Sequence, residues 1–279
     1  MPLNQDRARD VFEKLGRNLG KLSARPTPKN VHQFRTCSRR LQALLEELVP
    51  ELSRNERKLH KLVSRLRKRV GKIRDFDAQI SALRTLKLSD KDGSKAQLLR
   101  ALTQARSRRV KKLDRAFDRE TIRELGKRLK RVRGAIQVPQ NAEPLRVALR
   151  LLAGESQDRS PLTEERLHQY RILGKRARYL VEFAVDTPET HQAIEQLKRM
   201  QDALGDWHDW LTLTQSAQER FGGVQQSALV AALHNLTRTR FRRAVEVVMQ
   251  TRAALLDTPV EIPRRTVTPA PEAARAAIA

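Results

Sequence analysis

Two stretches of this sequence hold side chains suited to one kind of chemistry, the capture of a multivalent anion. VHQFRTCSRRLQALLEEL runs from Val31 to Leu48, and LHQYRILGKRARYLVEFA from Leu167 to Ala184. Each opens aliphatic, His, Gln, aromatic, Arg, and each places a second base four residues after that Arg. Arg offers a planar fork of N–H donors that fits phosphate oxygens, Lys a point charge, and His two donors once protonated. At about 100° per residue on a helix, His32, Arg35 and Arg39 share a stripe with Gln42. Phe34, Leu41, Leu44, Leu45 and Leu48 lie opposite. Cys37 falls with them and reads as a small core residue, not a reactive thiol. In the second copy His168, Arg171, Lys175 and Arg178 share the stripe, against Tyr170, Leu173, Ala177, Leu180 and Val181. Arg40 and Arg176 sit to one side, still outside the apolar sector.

A solvated helix face normally mixes signs to gain i,i+4 pairs. Neither stripe has an acid until Glu46 and Glu182, past its end. A bare cationic stripe is under repulsion that an anion would relieve. A further stripe lies in Ser53–Arg74, which holds ten Lys or Arg and one acid, Glu56. There Lys58, Lys61, Arg65, Lys68 and Lys72 are spaced 3, 4, 3 and 4, with Leu59, Leu62, Val63, Leu66, Val70 and Ile73 forming the core face. Arg100–Arg133 holds 14 bases against four acids, but they are spread around its helices. The corresponding stretch of the second half, IEQLKRMQDALGDWHDW, is less basic and contributes Lys198 and Arg199. Arg199 is taken as a candidate ligand there. Asp75-Phe76 aligns with Asp206-Trp207, and Asp77 with Asp209 after one insertion. Such acids are expected to cap a following helix, or else to orient a neighbouring Arg, with the aromatics packed under the turn.

The elements that must carry these residues are helices. Periodicity near 3.6 runs through segments near 3–22, 29–49, 53–74, 78–88, 94–117 and 119–136, then 142–153, 163–185, 189–204, 209–221 and 224–256. Pro, Asp-Gly and Gly-Gly punctuate them, and no alternating strand pattern is present. The expectation is an all-α chain of two helical halves, 1–138 and 139–257, followed by a disordered tail at 258–279. The chain has 279 residues and a net charge of +25, from 57 Lys and Arg against 32 Asp and Glu. Such an excess calls for a polyanion: nucleic acid, an anionic membrane or a phosphate polymer. One cysteine excludes an intrachain disulfide and suits a reducing cytoplasm. The N-terminus has no signal-peptide pattern, and no apolar run approaches membrane-spanning length.

With both motifs and both Asp-aromatic pairs in order, the sequence resembles the conserved histidine α-helical domain (CHAD) family over about residues 3–257. The resemblance implies two bundles related by a pseudo-twofold axis, with the His-bearing helices facing each other across a basic central cavity. It implies inorganic polyphosphate as the ligand, bound without hydrolysis, with phosphate or sulfate ions able to stand in for it. It also implies a cytoplasmic protein associated with polyphosphate granules. The ligand-facing residues carried over are His32, Arg35, Arg39, Arg40, His168, Arg171, Lys175 and Arg178. Lys61, Arg65, Lys68, Lys72, Arg176 and Arg199 join them from the basic stripes. Gln42 opposite Arg178 marks a difference between the two walls.

Three other readings compete. An RNA- or DNA-binding protein fits the charge, but no groove-reading motif is present, and 4% aromatic residues leave little for stacking on bases. Nucleic acid is therefore expected as a weaker, non-specific competitor. His208-Asp209 is the dipeptide of metal-dependent phosphohydrolases, yet no phosphate loop, HExxH or CxxC accompanies it. No metal, no organic cofactor and no catalysis are expected. Membrane insertion is disfavoured because the apolar helix faces are committed to a core.

Overall fold

The computed structural model describes residues 1–88, 92–115, 117–156 and 160–256; the tail expected at 258–279 lies outside them. The described residues form nine α-helices and one isolated bridge, Leu3 to Ala184. In order these are α1 (Gln5–Ala24), α2 (Pro28–Glu47), α3 (Arg54–Thr85), α4 (Ser94–Asp114), α5 (Arg119–Ala135), α6 (Pro144–Ser156), α7 (Glu164–Val181), α8 (Pro188–Phe221) and α9 (Ala228–Leu256).

Local chemistry sets their ends. Thr27 caps α2 by accepting from the Asn30 amide, with Pro28 in the first turn. Thr163 does the same for α7 from the Arg166 amide. Ser53 and Glu56 close a capping box at the start of α3, and Thr187 and Thr190 one at α8. Gly93 and Gly222 take positive φ, 70° and 80°, at the junctions before α4 and after α8.

α1, α2, α3 and α5 pack as one four-helix bundle, and α6, α7, α8 and α9 as another. The bundles meet where α2 lies on α7 and α3 on α8. The apolar faces read from the two motifs are the ones buried: Phe34, Leu41, Leu44, Tyr170, Ala177 and Leu180 are inaccessible to solvent. Cys37 is buried among them, its thiol pushed up to about 11 by burial. One continuous core draws on α1, α2, α3, α5 and on α6 to α9, so apolar packing runs across residue 138. A second cluster joins the distal ends of α3 and α4 to those of α8 and α9, around Leu83, Leu98, Trp210 and Leu229. The N-terminus reinforces this joining, since Arg7 donates to the Ala184 carbonyl at 3.0 Å and to Asp186.

Two expected breaks are absent. α3 continues through Asp75-Phe76, and α8 through Asp206 to Asp209. These acids are not caps; each long helix keeps them by giving them other work. Asp77 is buried and accepts from Arg106 of α4 at 2.5 Å. Asp75 lies 3.9 Å from Arg35, and Asp206 forms an ion pair with Arg240 of α9 at 3.0 Å. A carboxylate with a cationic partner no longer competes for backbone N–H groups, so its preference for a cap is lost. Trp207 is buried inside the second bundle, not under a turn.

Candidate anion-binding site

A cavity of about 290 Å³ lies between α2, α3, α7 and α8. α2 contributes His32, Arg35 and Arg39, and α7 contributes Arg171, Lys175 and Arg178. Arg74 enters from α3 and Lys198 from α8. Seven Lys or Arg thus face three acids, Asp75, Asp202 and Asp209. The volume holds about ten water molecules, and hence a few linked phosphate groups.

The arginines are held but not satisfied. The buried Nε donors of Arg35, Arg39, Arg171 and Arg178 have no hydrogen-bond partner. Arg178 is braced by Glu182 at 3.1 Å and by the Tyr179 ring at 5.1 Å, and Arg35 only by Asp75 at 3.9 Å. Arg39 and Arg171 make no ion pair with any described residue. A buried charged donor without an acceptor costs more than the roughly 1–3 kcal/mol of a neutral one.

The protonation equilibria record that strain. Burial, then Arg171, Arg39 and Arg35, pull Lys175 down to about 6. Burial and the charges of Arg35 and Arg67 bring Arg39 to about 10. Burial lowers Arg171 despite Asp209. His32 is lowered by partial burial and by Arg74 and Arg35, so it stands neutral at the cavity rim near pH 7. His168 is lowered as well, by burial, Arg171 and Lys175. It is not a lining residue; its ring packs 5.6 Å from that of His208, which burial and Arg171 drive to about 3. Asp209 is raised by burial against the pull of Arg74, Arg171 and Lys175. Among the described residues no cluster of three or more His, Cys, Asp or Glu is placed to hold a metal ion.

Several expected ligands are elsewhere. Arg40 donates from Nε to Glu182 at 2.6 Å, and Arg176 pairs with Glu46 and, at 2.9 Å, with Glu47. The acids noted past each stripe therefore neutralise the off-stripe base of the other copy. Lys61, Arg65, Lys68 and Lys72 line a separate groove between α3 and α4. Arg199 is exposed and paired with Glu195 at 2.6 Å, one residue away from Lys198, which faces the cavity. Gln42 is buried beside His60, 3.5 Å from its ring nitrogen, and is not a wall residue. Arg74 and Asp209 were missed as cavity residues. Arg74 had a partial signal: with Arg67 it shares a helical seam with Gly71 and Ala78, small residues where another helix can cross. Arg35 Nε would indeed lie 3.4 Å from a Cβ built on Gly71.

The placement predicts a dissociation of roles. Arg40→Gln or Arg176→Gln should lower stability by about 0.5–1 kcal/mol each, the range for partly exposed pairs. Anion affinity should stay within about twofold. A large loss of affinity with unchanged melting would return both residues to the binding site.

The molecule is thus an all-α, two-bundle protein with a cationic cavity between the bundles. The model of the CHAD domain matches residues 7–218, and the chain belongs to that family, which is associated with inorganic polyphosphate. Its structure is similar to the CHAD domain from the plant Ricinus communis, with a TM-score of 0.63 at 19% identity over 89% of this chain and 88% of that one. It is also similar to PptA from Streptomyces chartreusis, with a TM-score of 0.65 at 18% identity over 92% of this chain and 100% of that one. At these identities the likeness shows the fold. No curated protein matches the chain.

Proposed function

We propose that the cavity between α2, α3, α7 and α8 binds a segment of inorganic polyphosphate and does not hydrolyse it. The observation that carries this reading is the set of partnerless Nε donors on Arg35, Arg39, Arg171 and Arg178, which converge from both bundles. A chain of phosphates supplies an acceptor for each and neutralises the excess charge. Polyphosphate has no bases, so it needs no stacking surface; among the described lining residues the rings are His32 and Tyr179, and Tyr179 is already covered by Arg178. Family membership supports the same ligand. Binding without hydrolysis is supported by a lining dominated by Lys and Arg side chains, donors suited to holding phosphate oxygens. The paired contacts Arg40–Glu182 and Arg176–Glu46 are what an approximate twofold between the bundles would produce. On this reading the protein is a cytoplasmic polymer binder that associates with polyphosphate granules. No described helix is long and apolar enough to cross a membrane.

Binding should be compared for polyphosphate and for RNA of matched charge at about 0.15 M salt. Polyphosphate should displace RNA, and displacement in the opposite direction would sink the proposal. At 100 times its dissociation constant the polymer should add about 2.7 kcal/mol, raising the melting midpoint by about 5–10 °C. Release of orthophosphate, with or without added Mg²⁺ or Mn²⁺, would overturn the non-hydrolytic reading.

A further inference from the structure

The stripe on α3 does not open into the central cavity. Lys61, Arg65, Lys68 and Lys72 face Arg109 and Lys112 of α4 across a groove of about 910 Å³. Among the described residues eight Lys or Arg line it, and no acid does. All eight are exposed, and none makes an ion pair with a described residue. Arg65 does act electrostatically on Asp118, the N-cap of α5, but that carboxylate is outside the groove and accepts from the Thr121 amide.

The other bundle provides an internal comparison. α8 and α9 form the matching groove, about 620 Å³, where Arg199, Arg240 and Arg243 are mixed with Asp202 and Asp206. There Arg240 pairs with Asp206, and Arg199 with Glu195. Helix packing of this kind is therefore compatible with a charge-mixed groove. The bare cations between α3 and α4 are not a requirement of the fold, and they raise self-repulsion in a chain already at +25.

One helix is a wall of both sites. Lys68 and Lys72 face the groove, while Arg74 and Ala78, a quarter-turn or more away, face the cavity. The separation is about one helix diameter, roughly 10–12 Å. Arg67 shares the cavity-side seam of α3 with Arg74, its Nε buried without a partner and its charge felt by Arg39. We propose that the α3–α4 groove is a second phosphate-polymer site, which holds a further segment of the same chain bound in the cavity. This rests on the polyphosphate reading of the cavity. A long chain engages both sites, and the second contact is intramolecular, so length adds affinity beyond any single contact. His60 is the only ring among the described residues of the groove lining, which offers nucleobases little to stack on.

Tripolyphosphate reads the cavity alone, and long-chain polyphosphate reads both sites. In the full chain, Lys68→Glu with Arg109→Glu removes one cation from each wall of the groove. Long-chain affinity should fall at least about tenfold, with tripolyphosphate affinity within about twofold. Lys68→Gln with Arg109→Gln should give a smaller loss of the same kind, and provides the measurement if the reversal variant misfolds. Unchanged long-chain affinity in both variants overturns the second site. Equal losses for the two probes overturn its independence from the cavity. A loss for RNA alone assigns the groove to nucleic acid and also overturns the proposal. Failure of the cavity reading is seen separately, as tripolyphosphate binding that survives Arg39→Glu with Arg171→Glu.

Discussion

Arg39→Glu combined with Arg171→Glu should weaken polyphosphate binding by at least about a hundredfold, with helicity retained. These two guanidinium groups face the cavity from opposite bundles and make no ion pair with a described residue. Each reversal turns an attraction into a repulsion against the same phosphates. A unit interaction at about 4 Å ranges from about 1 kcal/mol in water to about 4 kcal/mol near a protein surface. Two reversals therefore exceed the roughly 2.7 kcal/mol of a hundredfold change. The fold should tolerate them, because the new carboxylates would sit beside Arg35 and Arg67, whose charges now repel Arg39 and, from Arg35, Arg171, and would favour the charged form of Lys175. Arg9→Glu with Lys29→Glu changes net charge equally at exposed positions and controls for bulk electrostatics. The site assignment fails if the cavity variant loses no more affinity than this control.

Lys175→Met should move stability and binding in opposite directions. Met keeps a flexible unbranched stem and removes the buried charge. Replacing a buried, poorly compensated ion by an apolar side chain is expected to stabilise by about 1–3 kcal/mol, or several degrees in melting midpoint. Polyphosphate affinity should fall by about tenfold or more. The pH dependence separates this from ordinary repacking. Lys175 holds its proton to about 6 in the folded protein but to 10.5 when unfolded. Between those values the unfolded chain binds more protons, so this residue makes wild-type stability rise with pH. Its destabilising effect is complete below pH 6 and disappears above 10.5. The advantage of the Met variant should thus widen as pH falls from about 10 to 6, then level off. Phosphates beside Lys175 favour its charged form, so binding near pH 8 should take up protons. Calorimetry in buffers of different ionisation enthalpy should detect that uptake in the wild type and a smaller one in the variant. Equal uptake by both proteins would remove Lys175 from the ligand's surroundings.

Much of the cavity was legible because its main walls are single helices. Spacing 3 and 4 puts His32, Arg35 and Arg39 on one stripe of α2, and Arg171, Lys175 and Arg178 on one stripe of α7. The apolar positions opposite leave only one way to dock each helix. Errors arose where both faces of a helix look alike. Outside its apolar face α3 is basic, so the bases alone do not say that Arg74 faces the central cavity while Lys68 faces the groove beside α4. One residue is about 100°, which is why Lys198 reaches the cavity and Arg199 does not. The Asp-aromatic pairs misled because a cap and an ion pair use the same carboxylate. Arg35, Arg106 and Arg240, distant in sequence, decided between those uses.

The amino-acid sequence by itself determined the all-helical class, the duplicated cationic stripes and the large excess of positive charge, because these follow from period and charge along single segments. Only the tertiary structure decided which cations remain without partners. It brought Glu182 to Arg40 and Glu46 to Arg176, while leaving Arg39 and Arg171 unpaired across the cavity. It also turned the α3 stripe away into a groove of its own. Charge is a property of residues; whether a charge is compensated depends on which helix packs against it.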